Sequence, residues 1–281
     1  MIELPEAEVL RKDLERELMG RRVASVGVHH PGVVKPWHRD RPGFVKALTD
    51  RKVVGVRRRG RLLFIDLDDD LTWIIDAGEH GALHREAAGA APGADAKVTV
   101  EFTTGGALHL SEATSKPTVR TGVVATEDAF ESADVSRDAL DPLDDNPTWM
   151  EFGRYLAAAD QPLRLLLVDQ RRILGLGAVY ADEILWEAGL RHDRSSASLS
   201  TQEVRRLYRA TQEVIVAAMK AAGSSLEDAE PEAMIDDEGE AAEHLRVFGR
   251  EGLPCPRCRT PIERTRLKKT IQTYHCPRCM I

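Results

Sequence analysis

The hydrophobic pattern of the first half of the chain begins as a helix and continues as strands. Four apolar residues between Val9 and Leu18 fall on one helical stripe, which predicts a helix over residues 5–19 that ends at Gly20. From residue 23 to about 124, short apolar runs alternate with Asp or Gly turns, which is typical of an antiparallel sheet, sandwich or barrel. The clearest strands are residues 61–67, 71–75, 97–102 and 107–110.

Helical patterns dominate the second half. Residues 125–147 are acidic and contain two prolines, which indicates a linker. Thr148 and Glu151 have the form of a capping box, so a helix is expected to begin there. Further helices are predicted over 162–168, 178–188 and 200–222, the last two closed by Gly189 and Gly223.

The only four cysteines lie near the end of the chain in two C-x2-C pairs. Cys255 and Cys258 are separated from Cys276 and Cys279 by seventeen residues. Four thiolates at this spacing can close a tetrahedral zinc site, and a site saturated by cysteines is structural rather than catalytic. The intervening residues suit a β-hairpin. They carry Arg259, Arg264, Arg266, Lys268 and Lys269.

A glycine-rich turn precedes the helix predicted over residues 178–188. Gly175 and Gly177 would leave free backbone amides at a helix start, and such amides can hold a phosphate. Glycines at a tight turn between helices also serve packing, so both interpretations remain open.

Composition and charge modify this picture. The chain has 281 residues, is 42% hydrophobic and has a formal net charge of -7, which argues against a nucleic-acid binder. The charge is uneven, however. Residues 11–61 hold fifteen Lys or Arg against five Asp or Glu, and residues 244–281 hold nine against two. Residues 226–243 hold nine acidic residues and no basic ones, so the negative sum does not exclude a basic DNA-binding face.

Localisation is predicted from what the sequence lacks. No apolar run approaches the ~20 residues that span a bilayer, and the charged N-terminal region has no signal-peptide core. A cytoplasmic protein is expected.

Three landmarks in order along the chain indicate a family. They are Glu3-Leu4-Pro5-Glu6-Ala7-Glu8, the 175–177 turn followed by Val179-Tyr180-Ala181-Asp182-Glu183, and Val247-Phe248-Gly249-Arg250 before the cysteines. Together they resemble the formamidopyrimidine-DNA glycosylase / endonuclease VIII family over nearly the whole chain.

The resemblance implies a multidomain α+β fold. Residues 1–124 would form a β-sandwich with a leading helix, and 125–147 a linker. Residues 148–243 would form a helix–two-turn–helix DNA-binding domain that includes the acidic loop 226–243, and 244–281 a zinc finger. The family binds duplex DNA between its two lobes and flips an oxidised base into a pocket. An N-terminal proline amine then attacks the sugar and nicks the strand through a Schiff base.

The chain departs from the family pattern at its reactive positions. Ile2 stands where the family has the nucleophilic proline, so the amine of a retained Met1 would lie one residue further out. Arg61 replaces a lysine, and an arginine keeps the phosphate contact but cannot act as an acid or base. Ala178 replaces an asparagine, and Ile271 replaces the arginine that grips the lesion phosphate. The usual wedge residues are also missing, at Glu79 and over residues 113–118.

The resemblance and the charge pattern together define the candidate site residues. The catalytic candidates are Glu3, Glu6 and the amine of Met1; the DNA-binding candidates are Arg59, Arg61, Gly175, Gly177, Lys268 and Lys269; and the metal ligands are Cys255, Cys258, Cys276 and Cys279. Glu3 and Glu6 could instead merely stabilise the first helix through its dipole. Asp76, Glu79 and His80 form another polar cluster, for which an ordinary hydrated turn is the favoured interpretation.

Three hypotheses about function follow. The first is a divergent DNA glycosylase that binds damaged double-stranded DNA, carries one structural Zn²⁺, and has weakened or lost AP-lyase activity. The second is a catalytically inactive damaged-DNA sensor with the same fold. The third is an adaptor whose acidic loop 226–243 contacts a partner, although a solvated loop is the simpler interpretation. The family implies a monomer that acts at the nucleoid, with no membrane contact.

Overall fold

The computed structural model describes residues 2–78, 80–222, 244–268 and 271–281. Met1, Glu79, Lys269 and the acidic loop 226–243 therefore lie outside the described residues. The chain forms two compact units, residues 2–136 in the first and residues 137–221 with 244–281 in the second. Within the described ranges, no helix combines the length and the apolar character needed to cross a membrane.

The first unit begins with helix α1 (Leu4–Leu18), one residue earlier than predicted. Glu3 is the N-cap residue. A capping box forms there, because the Glu3 side chain accepts from the backbone of Glu6 while the Glu6 carboxylate accepts from the Glu3 amide at 3.0 Å. Pro5 lies in the first turn, where a missing N–H costs no helical hydrogen bond. Gly20 has φ +79°, which fits the predicted helix end.

Eight strands form two antiparallel sheets. The strands are β1 (Val23–Val28), β2 (Val53–Arg59), β3 (Leu62–Leu67), β4 (Leu71–Asp76), β5 (Ala82–Glu86), β6 (Ala96–Phe102), β7 (Ala107–Ser111) and β8 (Arg120–Ala125). One sheet has the order β1-β6-β7-β5 and the other β2-β3-β4-β8. Alternate residues of both sheets, such as Val56 and Val98, join the α1 stripe in one apolar core. The predicted sandwich with a leading helix is confirmed.

One helix interrupts the region predicted to contain only strands. Helix α2 (Arg41–Leu48) follows β1, and the uniform strand prediction is wrong there. Asp40 caps the helix by accepting from the Gly43 amide at 2.9 Å, and Phe44 and Leu48 are buried in the core. The Pro-Gly pair at its start resembles a turn in sequence, but proline is compatible with a first helical turn.

The segment predicted as a linker begins with local structure. A 3-10 turn (Thr126–Asp128) leads into the short helix α3 (Ala129–Ser132). Phe130 packs edge-on against Phe64 of β3 at 4.9 Å, and Ala129 is buried. This part of the segment covers an apolar patch of the sheet formed by β2, β3, β4 and β8.

The described part of the second unit contains four α-helices close to their predicted positions. They are α4 (Trp149–Ala157), α5 (Leu163–Leu167), α6 (Ala178–Ala188) and α7 (Thr201–Ala221). Thr148 and Glu151 form the predicted capping box of α4. Gly189 ends α6 in the left-handed conformation, with φ +67°. Two antiparallel strands, β9 (Glu263–Leu267) and β10 (Ile271–His275), form the predicted hairpin between the cysteine pairs.

Candidate DNA-binding and catalytic site

The start of α1 holds the candidate catalytic carboxylate. Glu3 is only 2% exposed, and its position is fixed by the reciprocal hydrogen bonds of the capping box. The side chain of Ile2 is itself buried and belongs to the sandwich core. The position that carries the nucleophilic proline in the family therefore serves packing here. Met1, the other amine candidate, lies outside the described residues.

The turn between β2 and β3 presents Arg61. Gly60 has φ +58°, which lets the chain reverse tightly before β3. Arg58 is buried beneath this turn, donates to the Gly60 carbonyl at 2.9 Å and pairs with Glu8 of α1 at 3.0 Å. Arg61 itself is half-buried, and no ion pair is recorded for it within the described ranges.

The basic run 57–61 is thus only partly available for phosphates. Arg57 pairs with Asp66 at 2.6 Å, and its guanidinium lies 5.3 Å from the centre of the Phe130 ring. The Asp66 carboxylate raises the pKa of Arg57 further above its usual value. Two members of the run therefore stabilise the fold.

Glu8 links the candidate catalytic and phosphate-binding groups. It lies on the same helix that Glu3 caps, and its carboxylate binds both Arg58 and Arg11. These arginines hold the pKa of Glu8 below its usual range against the opposing effect of burial. Sequence reasoning missed this contact, because fifty residues separate the two partners and only the fold brings them together.

The polar cluster after β4 is a structural turn. Asp76 is buried, accepts from the Gly78 amide at 2.9 Å and pairs with Arg120 at 2.9 Å. His80 is exposed, and Glu79 lies outside the described residues. The hydrated-turn interpretation therefore fits Asp76 and His80 better than an acid/base set does.

A buried carboxylate also organises the loop over residues 113–118, where the resemblance would place the wedge. Glu112 is 3% exposed and accepts from the amides of Thr118 and Val119 at 2.7 and 3.0 Å. The Thr118 hydroxyl donates to the same carboxylate at 3.0 Å. The loop over residues 113–118 is therefore closed onto Glu112, a role that the sequence pattern did not indicate.

The glycine turn before α6 is braced by a glutamine. Gly175 has φ +81°, which favours glycine, and Gly177 is the N-cap residue of α6 without a side-chain cap. Gln170 accepts from the Gly175 amide at 2.8 Å and donates to the Leu176 carbonyl at 2.7 Å. This bracing fixes the geometry of a helix start that can bind a phosphate.

Two buried acids of α6 attach the C-terminal segment to the helices. Asp182 pairs with buried Arg164 at 2.6 Å and accepts from the Thr273 hydroxyl and the Tyr274 amide of β10, each at 2.8 Å. Glu183 accepts from three consecutive amides, those of residues 246–248, each at 2.9 Å. Burial raises the pKa of Glu183 to about 7, although the hydrogen bonds from the three amides lower this pKa.

The four cysteines converge as the sequence predicts. Their sulfur atoms all lie within 4.8 Å of one another. The separations are 3.9 Å between Cys255 and Cys279 and 3.4 Å between Cys258 and Cys276. A tetrahedron with Zn–S bonds of about 2.3 Å has edges of about 3.8 Å, so the donor set fits a metal ion of this kind.

The four-cysteine segment is anchored to α6. The Trp186 indole N–H points at the Cys255 sulfur at 3.5 Å, and the Arg257 guanidinium lies 4.0 Å from the centre of the Trp186 ring. Arg257 also pairs with Glu187 at 2.8 Å. Lys268 lies at the end of β9 with φ +47°, while the neighbouring Lys269 is outside the described residues.

The β-sandwich, the glycine turn at a helix start and the four-cysteine hairpin are the features of the class of DNA-binding proteins that the sequence resembles. Comparison with known proteins tests this resemblance. Residues 1–115 match the "Formamidopyrimidine-DNA glycosylase N-terminal domain" profile, and residues 139–230 match the "Formamidopyrimidine-DNA glycosylase H2TH domain" profile. The chain belongs to the formamidopyrimidine-DNA glycosylase family.

Full-length relatives agree with this assignment. The chain is 34% identical to a formamidopyrimidine-DNA glycosylase of Moorella thermoacetica, with 95% of each chain covered. It is 33% identical to one of Nocardioides sp., with 99% of this chain and 94% of the relative covered. Among solved structures, a complex of Lactococcus lactis Fpg with DNA containing an abasic site has a TM-score of 0.84 at 23% identity and covers 99% of each chain. This likeness confirms the fold.

Proposed function

We propose that this protein is a divergent DNA glycosylase that binds damaged duplex DNA and hydrolyses the N-glycosidic bond, with AP-lyase activity weakened or lost. One observation carries the proposal. In a chain of this family, Glu3 is held buried at the start of α1, whereas Ile2 in the proline position packs into the core. The carboxylate is retained, and the secondary amine is not.

Glu3 would act as the acid or base of a water-based reaction. A water molecule loses a proton to the carboxylate as its oxygen bonds to the sugar C1′, and the bond between C1′ and the base breaks. The departing base takes up a proton. This route leaves the DNA strand intact, because no imine forms to start elimination. The primary amine of Met1 is the alternative nucleophile, and it would form an imine from a position one residue further out.

DNA binding would use three groups. Arg59 and Arg61 lie at the β2–β3 turn, the amides after Gly175 and Gly177 lie at the start of α6, and Lys268 lies at the hairpin. Lys269, the next residue in the sequence, is the remaining basic candidate. Backbone amides and basic side chains bind phosphates without reading the sequence. Recognition of damage therefore requires a further contribution from the pocket that receives the flipped base.

We also propose that the four cysteines hold one Zn²⁺ with a structural role. Their separations suit a tetrahedral thiolate site, and such a site has no open position for chemistry. Zinc would hold the two C-x2-C pairs together next to α6 and so keep the hairpin that carries Lys268 in place.

A damaged-DNA sensor is the alternative function. The arginine at position 61 cannot exchange a proton, and Ala178 and Ile271 remove two polar groups that grip DNA in the family. These losses favour a protein that binds damage without processing it.

Binding and covalent trapping separate these possibilities. The protein is incubated with duplexes that contain an abasic site, 8-oxoguanine or thymine glycol, with an undamaged duplex as reference, and borohydride is then added. We expect a salt-sensitive gel shift that is stronger on damaged DNA, with little trapped adduct. Efficient trapping would assign the chemistry to an amine and contradict the water route. A shift equal on damaged and undamaged DNA would contradict damage recognition altogether.

A further inference from the structure

Three histidines lie together on the outer face of the sheet formed by β1, β6, β7 and β5. His84 of β5 pairs in register with His109 of β7, and His109 pairs with Thr99 of β6 on its other side. His29 follows β1 and contacts the Thr99 hydroxyl through its Nε2 at 3.1 Å. The three imidazoles thus form a row across four adjacent strands.

The backbone leaves room for this row. A Cβ atom at Gly27 would lie 2.5 Å from the Thr99 hydroxyl and 3.2 Å from the His29 ring. A larger residue at this position would therefore clash with Thr99 and His29 where they contact each other. Residues that face each other in an antiparallel pair have Cβ atoms about 5 Å apart, which is close enough for two imidazoles to meet at one ion. The side chains of His84 and His109 are therefore within reach of a shared ligand.

The surroundings of the central imidazole favour its neutral form, which is the form that binds metals. His109 is 5% exposed, and burial lowers its pKa, as do the neighbouring His29 and His84 rings. A neutral imidazole has a free nitrogen lone pair at neutral pH. Glu86 and Glu101 pair in register with Ala107, which lies two residues before His109 on the same face of the sheet. Their negative charges raise the pKa of His109. They provide carboxylates beside the imidazoles.

We propose that His84 and His109 form a second, exchangeable site for a divalent transition-metal ion, with His29 or a flanking carboxylate as a further ligand. Imidazole nitrogen suits Zn²⁺, Ni²⁺ and Cu²⁺. In the described residues, only the four cysteines have three or more ligand atoms already converged for one ion. Binding at the histidines therefore requires the half-exposed His84 side chain to approach His109 through a change between staggered rotamers.

The site has a structural consequence that is independent of the proposed DNA activity. β5 is an edge strand of its sheet, and β7 is its only neighbour there. An ion held between His84 and His109 would join these two strands through their side chains. Metal binding to the folded state should therefore raise the melting temperature of the first unit.

Nickel titration of the zinc-loaded full-length protein tests this proposal. We expect calorimetry to detect one Ni²⁺ per chain in addition to the cysteine-bound metal, with the zinc content unchanged. His84→Gln and His109→Gln should each weaken Ni²⁺ binding by about tenfold or more. His80→Gln, at an exposed turn of the same unit, is the matched control and should bind Ni²⁺ within about twofold of the wild type.

Because His109 is buried, a second set of measurements does not depend on the His109→Gln variant. Substoichiometric Ni²⁺ should broaden the imidazole NMR signals of His84 and His109 in the wild type before those of His80. Nickel should also raise the melting temperature of the wild type but not of His84→Gln. The proposal is overturned if Ni²⁺ binds His84→Gln as tightly as the wild type, if His80→Gln loses binding equally, or if no ion binds beyond the zinc.

Discussion

At the scale of single residues, Glu3 has two separable roles. It caps α1 through a reciprocal pair with Glu6, and it is the candidate acid or base. Glu3→Gln keeps an acceptor oxygen for the cap but loses the proton-transfer group. We expect base release to fall by about 10²–10⁴-fold, with a loss of unfolding free energy of no more than about 1 kcal/mol.

Glu6→Gln is the matched control for this prediction, because the Glu6 carboxylate accepts from the Glu3 amide and the proposed water route assigns the proton transfer to Glu3 alone. It changes the other half of the same capping box and leaves the Glu3 carboxylate in place. Single-turnover base release and thermal unfolding are measured for both variants. If the two variants lose activity and stability in parallel, Glu3 is only a cap, and its catalytic assignment fails.

Glu183 gives a pH-dependent prediction at the same scale. Its pKa is raised to about 7, so the folded state holds this proton more tightly than the unfolded chain does. The resulting stabilisation is complete below the unfolded pKa of about 4.5 and is lost as the pH rises through about 7. Carboxyl ¹³C NMR of Glu183 should titrate with a midpoint near 7. A midpoint below 5 would show that the three amide donors outweigh burial.

At the scale of elements, the glycine turn depends on Gln170. Its amide holds both sides of the turn, at Gly175 and Leu176. Gln170→Ala removes both bonds and loosens the start of α6. We expect affinity for an abasic-site duplex, measured by fluorescence anisotropy, to fall by about three- to tenfold.

The control for this element is Gln212→Ala, at an exposed site on α7 where the side chain donates to the Tyr208 hydroxyl at 2.8 Å. This variant should bind DNA as the wild type does. Equal affinity of Gln170→Ala and wild-type protein would exclude the glycine turn from the DNA interface.

The cysteine hairpin should depend on its metal. A chelator that removes one zinc per chain leaves four thiols with no ion to join them. The segment 255–258, which contacts Trp186, should then become less ordered. We expect the Trp186 fluorescence to change on chelation, with Trp186→Phe as the reference that identifies this signal among four tryptophans. Retention of amide-exchange protection in β9 and β10 after complete zinc removal would contradict a structural metal.

The sequence predicted most elements, because their signals are local. The cysteine spacing located the hairpin, and Thr148 with Glu151 located the start of α4. Helix α2 was missed, because Pro42 and Gly43 look like a turn until Phe44 is known to be buried. The Glu8–Arg58 and Asp182–Thr273 contacts were also missed, since their partners are distant in sequence and meet only through the tertiary fold.

At the scale of the whole molecule, the net charge of -7 limits DNA binding to local basic groups. Because Arg57 and Arg58 are paired internally, these two arginines of the 57–61 run are not expected to displace counterions from DNA. Arg61→Ala should lower the slope of log K against log salt concentration by about one, as expected for the loss of one phosphate contact. Arg57→Gln should leave the slope unchanged. A slope that falls equally in both variants would contradict the internal role of Arg57.

The most direct test of the central claim is base release measured against strand cleavage in the same reaction. Duplexes that contain oxidised bases are held at saturating protein under single-turnover conditions. Free base is quantified by mass spectrometry, and nicked strand by denaturing electrophoresis. The account predicts that at least one oxidised base is released, that release greatly exceeds nicking, and that Glu3→Gln lowers base release by about 10²–10⁴-fold. Saturated binding with no base released from any duplex would contradict the glycosylase assignment.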